Sequence, residues 1–192
     1  MTDSSTRSLR SAALSLLLAL ALAAGALAGT AIRNAELAAT EDAVTLSAEI
    51  AIEVPAALEE AVARGVPLYF VLEFELTRPR WYWFDETVAA RTLTYRLSYH
   101  ALTRQYRLST GALHQSFATL DEAVAVMSRL RDWPVAERAA LASGTTYTAG
   151  LRLRLDSARL PKPIQVGAIG APEWSLGSEW LRWPFPMERA AK

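Results

Sequence analysis

The sequence contains no cysteine, and this absence excludes several classes of protein. Without cysteine the chain has no disulfide framework, no thiol nucleophile and no cysteine-ligated metal site. A lipid-modified N-terminal cysteine, the mark of a bacterial lipoprotein, is excluded as well. The fold must therefore be stabilised by its hydrophobic core, for which 52% of the residues are hydrophobic.

Histidine is scarce, and neither sign of charge is in excess. Only His100 and His114 are present, and neither has a second ligand at metal-binding spacing, so we predict no metal site. The chain carries 20 basic and 20 acidic side chains. This balance argues against nucleic acid as a partner, because phosphate binding requires an excess of positive charge. A nucleophile elbow, a glycine-rich phosphate loop and a zinc-binding helix are also missing, so we predict neither catalytic residues nor a cofactor.

The first 28 residues have the pattern of a secretory signal peptide. Arg7 and Arg10 precede a long apolar run, and Ala26 and Ala28 provide the small residues that signal peptidase requires. An uncleaved membrane anchor is the alternative, since the run is just long enough to span a bilayer. We favour cleavage. The sequence therefore predicts a signal peptide over residues 1–28 and a single exported β-rich domain over residues 29–192.

Alternation of apolar and polar residues with period two dominates this domain and predicts β-strands. The predicted strands cover residues 31–38, 43–54, 66–77, 93–100, 104–110 and 147–155. Helical periodicity predicts two short α-helices, one over residues 55–63 and one that begins at Leu120 and ends at Trp133-Pro134. Thr119 and Glu122 form the predicted capping box of the second helix. The fold class we predict is mainly β: an antiparallel β-sandwich of immunoglobulin-like size, preceded by the N-terminal signal helix.

Charged residues on the predicted strands indicate which strands are neighbours. Glu73 and Glu75 share the polar face of strand 66–77, whereas Arg96, Arg152 and Arg154 lie on the polar faces of two later strands. Opposite charges on adjacent strands stabilise a sheet by ~0.2–1 kcal/mol each. We therefore expect the acidic strand to lie beside at least one basic strand.

The most unusual local feature is an aromatic segment, Arg80-Trp81-Tyr82-Trp83-Phe84-Asp85-Glu86. If its aromatic side chains are exposed, they would form a recognition surface. If they pack inward, they would plug one end of the sandwich. Alternation along an extended chain favours the plug, because at least half of the side chains must point inward. Asp85 and Glu86 are adjacent, so on an extended chain their carboxylates point to opposite faces, which is a poor geometry for paired acid–base catalysis.

The C-terminal part combines a proline-spaced segment with a tryptophan-rich tail. Pro161 and Pro163 predict an extended, poorly paired segment over residues 160–166. The tail contains Trp180 and Trp183, which suit either a membrane surface or a strand that packs on the sheet. We favour packing, because the tail is not basic.

Three separated motifs together carry a family resemblance: Arg78-Pro79-Arg80-Trp81-Tyr82-Trp83, Leu97-Ser98-Tyr99-His100-Ala101-Leu102-Thr103-Arg104-Gln105-Tyr106, and Leu160-Pro161-Lys162-Pro163 with the tail that follows it. With them the chain resembles an exported proteobacterial family known as domain of unknown function 4390, whose members are also labelled proline-rich signal peptide protein. The resemblance covers residues 31–186. It implies a periplasmic or envelope location, and it brings no activity, cofactor or catalytic residue. Members of the family are often encoded beside a membrane sensor kinase, a neighbourhood that fits a role in envelope sensing.

The leading hypothesis is a non-enzymatic binding or interaction module of the periplasm or envelope, with an envelope or inner-membrane protein as its partner. The candidate interaction surface consists of Arg80, Trp81, Tyr82, Trp83, Asp85, Glu86, Trp180 and Trp183. Membrane contact would come from an uncleaved anchor or from the tail. The alternatives are an envelope glycan hydrolase that uses Asp85 or Glu86 and a membrane-anchored structural protein.

Overall fold

The computed structural model describes residues 29–80, 82, 84–168 and 174–187, and the predicted signal peptide lies outside them. The described strands are β1 (Ala31–Ala39), β2 (Ala43–Ala51), β3 (Leu68–Arg78), β4 (Glu86–His100), β5 (Gln105–Thr110), β6 (Leu113–Phe117), β7 (Arg129–Glu137), β8 (Thr146–Leu155) and β9 (Leu181–Pro186). The described α-helices are α1 (Ala56–Ala63), α2 (Leu120–Met127) and α3 (Lys162–Ala168). Single 3₁₀ turns cover Arg138–Ala140 and Ser157–Arg159.

The strands form two antiparallel sheets that enclose one core. The smaller sheet has the order β1-β2-β7, and the six-stranded sheet has the order β6-β5-β4-β3-β8-β9. The Trp133 ring on β7 and the Phe74 ring on β3 pack in a T-shaped arrangement with their centres 6.5 Å apart, and this contact joins the two sheets. The predicted mainly β, sandwich-type fold is confirmed.

β3 lies at the centre of the larger sheet, hydrogen-bonded to β4 on one side and β8 on the other. Every second residue of β3 faces the core, as predicted. These five apolar side chains are almost fully buried: Leu68, Phe70, Leu72, Phe74 and Leu76. Burying each of them stabilises the fold by about 1.5–3 kcal/mol. The opposite face of this sheet, which we call the outer face, carries the polar residues of β3.

α2 begins where the capping box predicts. The Thr119 hydroxyl accepts a hydrogen bond from the backbone N–H of Glu122 at 3.3 Å, and the Glu122 carboxylate accepts one from the N–H of Thr119 at 3.4 Å. These bonds satisfy two N–H groups that a helix terminus otherwise leaves free. Ala123 and Met127 are buried against the core.

The predicted end of this helix at Trp133-Pro134 is wrong, because α2 ends at Met127 and both residues lie within β7. β7 pairs only with β2, so Pro134 lies in an edge strand, where its missing N–H costs no ladder bond. The strand also bulges at Asp132, whose φ is 47° and whose N–H donates to the Ser47 hydroxyl. A proline at such a position does not interrupt a strand.

The predicted extended segment over residues 160–166 is also wrong, because α3 is a third helix. Pro161 precedes its first residue, and Pro163 lies in its first turn, where backbone N–H groups have no partner within the helix. The Pro161 carbonyl accepts hydrogen bonds from the N–H groups of Ile164 and Gln165. The Gln165 side chain donates to the carbonyls of Ala158 and Leu160 and so fixes the helix against the preceding turn.

Candidate functional site

Charged side chains on the outer face meet where β3 pairs with β8. Arg154 Nε lies 2.9 Å from Glu73 Oε1, and Arg152 Nε lies 3.0 Å from Glu73 Oε2. The acidic strand therefore lies beside a basic strand, as the charge pattern predicts. Arg96 of β4 takes no part in this pairing, because its register partner on β3 is Tyr69.

The electrostatics of Glu73 follow from these contacts. Partial burial opposes ionisation of the carboxyl group, but hydrogen bonds from Arg152 and Arg154 and their positive charges outweigh burial. The net effect lowers the pKa of Glu73 below its ordinary value of 4.5. One carboxylate thus binds two guanidinium groups on the outer face.

A second group of side chains surrounds Trp180, which precedes β9. The guanidinium carbons of Arg152 and Arg182 lie 4.7 and 5.4 Å from the centre of the Trp180 ring. Arg182 also donates to Glu75 Oε1 at 2.9 Å. We call these four residues the Trp180 cluster. They hold a half-buried aromatic ring between two cations on the outer face.

Gly150 provides the space beneath the Trp180 cluster. A Cβ atom at this position would lie 2.9 Å from Glu75 Cγ and 3.3 Å from Trp180 Cε3. The first distance is shorter than real Cβ contacts, so any side chain here would displace Glu75. Glycine at this position therefore allows Glu75 and Trp180 to pack closely against the backbone of β8.

The loop between β3 and β4, residues 79–85, is anchored at its base. Arg80 Nη2 lies 2.7 Å from Glu86 Oε2, and Arg78 contacts the same carboxylate oxygen. Hydrogen bonds from Arg80 and Arg78 lower the pKa of Glu86. Glu86, which follows the loop, is thus bound by Arg78 and Arg80 at the start of the loop, and these contacts hold the two ends together.

The two described aromatic side chains of this loop face solvent. Tyr82 is 66% exposed and Phe84 is 84% exposed, and Asp85 is exposed beside them. Trp81 and Trp83 lie outside the described residues, so the predicted plug would depend on those two side chains. Tyr82 and Phe84 do not contribute to a plug.

The tail forms the predicted strand, β9, and its two tryptophans lie on opposite faces of the sheet. β9 pairs with β8, and Trp183 lies opposite Ala149, whose side chain is buried. Trp183 therefore faces the core and packs against it, whereas Trp180 lies on the outer face. Of the two predicted tail residues, only Trp180 is positioned to meet a partner together with the loop.

The other end of the outer face contains a feature that the sequence analysis missed. A groove, which we call the cationic groove, has basic walls formed by Arg96, Arg107, His114 and Arg159. These residues lie on β4, β5, β6 and the turn after β8. Their sequence separation conceals the cluster, and no local motif marks it.

Metal-binding and membrane-spanning features were sought among the described residues. They contain no group of three or more histidine, cysteine, aspartate or glutamate side chains able to hold a metal ion. None of their helices is long and apolar enough to cross a membrane. His100 lies at the end of β4 with its Nδ1 3.4 Å from the Thr103 hydroxyl, whereas His114 lines the cationic groove.

Comparison with known proteins identifies a family. Residues 28–184 match the family described as domain of unknown function (DUF4390). Neither the curated proteins nor the solved structures include a significant match to the chain. Because the family match covers most of the sequence, the chain belongs to the DUF4390 family.

Proposed function

We propose that this chain is a non-enzymatic interaction module of the cell envelope that binds a protein partner with the loop end of its outer face. The observation that carries the proposal is the exposure of Tyr82 and Phe84 on a loop anchored by Glu86. Aromatic residues are enriched at protein interfaces, and an anchored loop loses less conformational entropy on binding.

The Trp180 cluster enlarges the proposed surface. Glu75 and Arg78 are three residues apart on β3, which places the cluster about 10 Å from the base of the loop. Trp180 and the exposed loop aromatics offer apolar contacts, and the surrounding arginines and carboxylates offer a charged rim. Central aromatic contacts within a polar rim are the usual composition of a protein interface.

The envelope location rests on the sequence. Residues 1–28 have the order of a signal peptide, and the family match begins at residue 28. We propose a periplasmic location after cleavage and an envelope or inner-membrane protein as the partner. A membrane sensor kinase is one partner of this class.

The hydrolase alternative gains no support from the geometry of the loop. A glycosidase general acid needs a raised pKa so that it is protonated near neutral pH. Arg80 and Arg78 lower the pKa of Glu86 instead. The carboxylate of Glu86 therefore fits an anchoring role better than a catalytic one.

Site-specific photo-crosslinking in the native envelope tests the proposal. A photo-reactive amino acid replaces Phe84 in one variant and Leu102 in the matched control. Leu102 is 93% exposed, and it lies in the turn between β4 and β5 rather than in the proposed surface. We expect a defined protein adduct from position 84 and none from position 102.

A substitution in the same loop then tests whether the adduct depends on specific binding of the partner to the loop. Tyr82→Ser should reduce the yield of the adduct from position 84 without lowering the thermal unfolding midpoint by more than a few degrees, since exposed substitutions change stability little. Equal adducts from positions 84 and 102, or an adduct that Tyr82→Ser leaves unchanged, would remove the loop as the binding surface.

A further inference from the structure

The cationic groove lies at the end of the outer face remote from the proposed partner surface. Tyr69, on the wall of the groove, and Arg78, at the base of the loop, are nine residues apart on β3. At about 3.3 Å per residue the two features are separated by roughly 30 Å. A ligand in the groove would therefore serve a function beyond the partner binding proposed above.

The groove has the size of a small-molecule site. Its volume is about 390 Å³, and ligand sites in proteins span about 300–1,000 Å³. Four strands and the turn after β8 contribute to its walls, so the lining side chains are held by the sheet. The hairpin that closes it turns at Gly111, whose φ of +57° is unfavourable for other residues.

Positive charge in the groove is not balanced by acids. No carboxylate is among the described residues that line it. Arg159 is paired with Asp156, whose Oδ2 lies 3.2 Å from Arg159 Nε, and its guanidinium stacks 5.1 Å from the centre of the Tyr69 ring. Arg96 and Arg107 form no ion pair within the described part of the chain. About two positive charges are thus uncompensated.

Other arginines on or beside the outer face behave differently. Each of the following contacts a carboxylate: Arg78, Arg80, Arg152, Arg154 and Arg182. Among the described arginines of the six-stranded sheet, Arg91, Arg96 and Arg107 form no ion pair, and Arg91 donates to the Ala90 carbonyl instead. Arg96 and Arg107 are the two that meet in one groove without a carboxylate.

Arg107 also has a buried polar atom without a partner. Its Nε is inaccessible to solvent and makes no hydrogen bond with the described residues. A buried donor on a charged group that lacks an acceptor is unfavourable, because no hydrogen bond compensates its desolvation. Such groups in native proteins are usually explained by a bound ion, a ligand or ordered water.

We propose that the cationic groove binds a phosphate group, carried by a small soluble molecule or by a lipid headgroup. Arg96 and Arg107 would neutralise the phosphate, and Arg159, held by Asp156 and Tyr69, would provide further donors. The planar guanidinium donors match the oxygens of a phosphate. A phosphate monoester carries about 1.5–2 negative charges at neutral pH, which matches the two uncompensated cations better than the single charge of a carboxylate.

Calorimetric titration of the purified protein tests this proposal with three phosphate probes and two controls. Inorganic phosphate and glycerol 3-phosphate represent soluble sources. Phosphatidic acid vesicles, compared with phosphatidylcholine vesicles, represent the lipid source, because phosphatidic acid carries a phosphate monoester. Acetate is the carboxylate control. We expect saturable binding of a soluble phosphate or of phosphatidic acid vesicles, and the probe that binds identifies the source. Absence of binding to all phosphate probes, or acetate binding of equal affinity, would overturn the proposal.

Variants of equal charge distinguish a site from general electrostatics. Arg96→Gln with Arg107→Gln should weaken phosphate binding about tenfold or more, because two charge-assisted contacts are lost. Arg33→Gln with Arg129→Gln removes the same charge from exposed positions on the smaller sheet and should change affinity less than about twofold. Equal losses in both variants would contradict a defined site.

A second variant keeps the test valid if loss of Arg107 disturbs folding. Arg96 is exposed, so Arg96→Glu should fold normally while it places a negative charge in the groove. We expect it to abolish measurable phosphate binding and to leave the adduct from position 84 unchanged. Unaltered phosphate binding by this folded variant would overturn the proposal without bearing on the proposed partner surface.

Discussion

At the scale of single residues, Glu73 determines the local charge balance of the outer face. It receives hydrogen bonds from two arginines, and its side chain is only 21% exposed. A partly buried carboxylate with two charged donors contributes more than an exposed ion pair, because solvent screens it less. Its removal would leave Arg152 and Arg154 without their shared acceptor.

Glu73→Gln should lower the free energy of unfolding by about 1–2 kcal/mol, since hydrogen bonds to a charged group are lost. Glu49→Gln is the matched control. Glu49 and Arg131 are 3.7 Å apart, and both side chains are more than half exposed, so this loss should stay within about 0.5 kcal/mol. Urea denaturation at pH 7 measures both values. Equal losses in the two variants would show that Glu73 has no special role.

The pH dependence of the same variant checks the cause. Because the folded protein lowers the pKa of Glu73, the unfolded chain takes up a proton first as pH falls. The stabilisation by Glu73 is thus complete above its ordinary pKa of 4.5 and is lost as pH falls through the lowered value. The stability difference between wild type and Glu73→Gln should be constant from about pH 5.5 to 7.5 and should shrink below pH 4.5. A difference that persists unchanged at pH 3 would contradict this assignment.

At the scale of elements, local patterns predict the strands and helices whose signals do not depend on tertiary context. In β3 and β8 every second residue is apolar and faces the core, and period two reports this burial directly, although Val71 on the other face of β3 is buried as well. The capping box of α2 is equally local, since all its hydrogen bonds lie within residues 118–122.

β7 and α3 show where local patterns are insufficient. Pro134 lies in a strand because β7 has a partner on only one side, which depends on sheet order. Pro163 lies in the first turn of a helix because the Gln165 side chain satisfies backbone carbonyls of the preceding turn. The cationic groove was missed for a related reason. Its arginines come from separate elements, and only the pairing of β4 with β5 and β3 brings them together.

The capping box of α2 leads to a prediction at this scale. Thr119→Ala removes the acceptor for the Glu122 N–H and should destabilise the domain by about 1 kcal/mol. Thr119→Ser keeps the hydroxyl group and should cost less than about 0.5 kcal/mol. Chemical denaturation measures the loss, and hydrogen exchange at the Glu122 amide locates it. An Ala variant as stable as the Ser variant would mean that packing alone holds the helix.

At the scale of the whole molecule, the six-stranded sheet separates two surfaces on one face. The aromatic loop and the Trp180 cluster lie at one end of β3, and the cationic groove lies at the other. Because β3 is central and its inner face is buried, core packing holds the strand in place and fixes the distance between the two surfaces. A partner bound at the loop and a phosphate bound in the groove would therefore not compete for the same side chains.

Export is a proposed property of the whole chain, and the identity of the first residue of the mature protein tests it. We expect the protein isolated from the envelope to begin at Gly29, because Ala26 and Ala28 form the cleavage pattern. Ala26→Asp with Ala28→Asp should block cleavage and retain the chain on the membrane through residues 1–28. Ala26→Ser with Ala28→Ser keeps the residues small and should be cleaved normally. Edman sequencing and membrane fractionation measure both properties. A wild-type protein that begins at Met1 and remains on the membrane would favour the uncleaved anchor, and one recovered from the cytoplasm would contradict export.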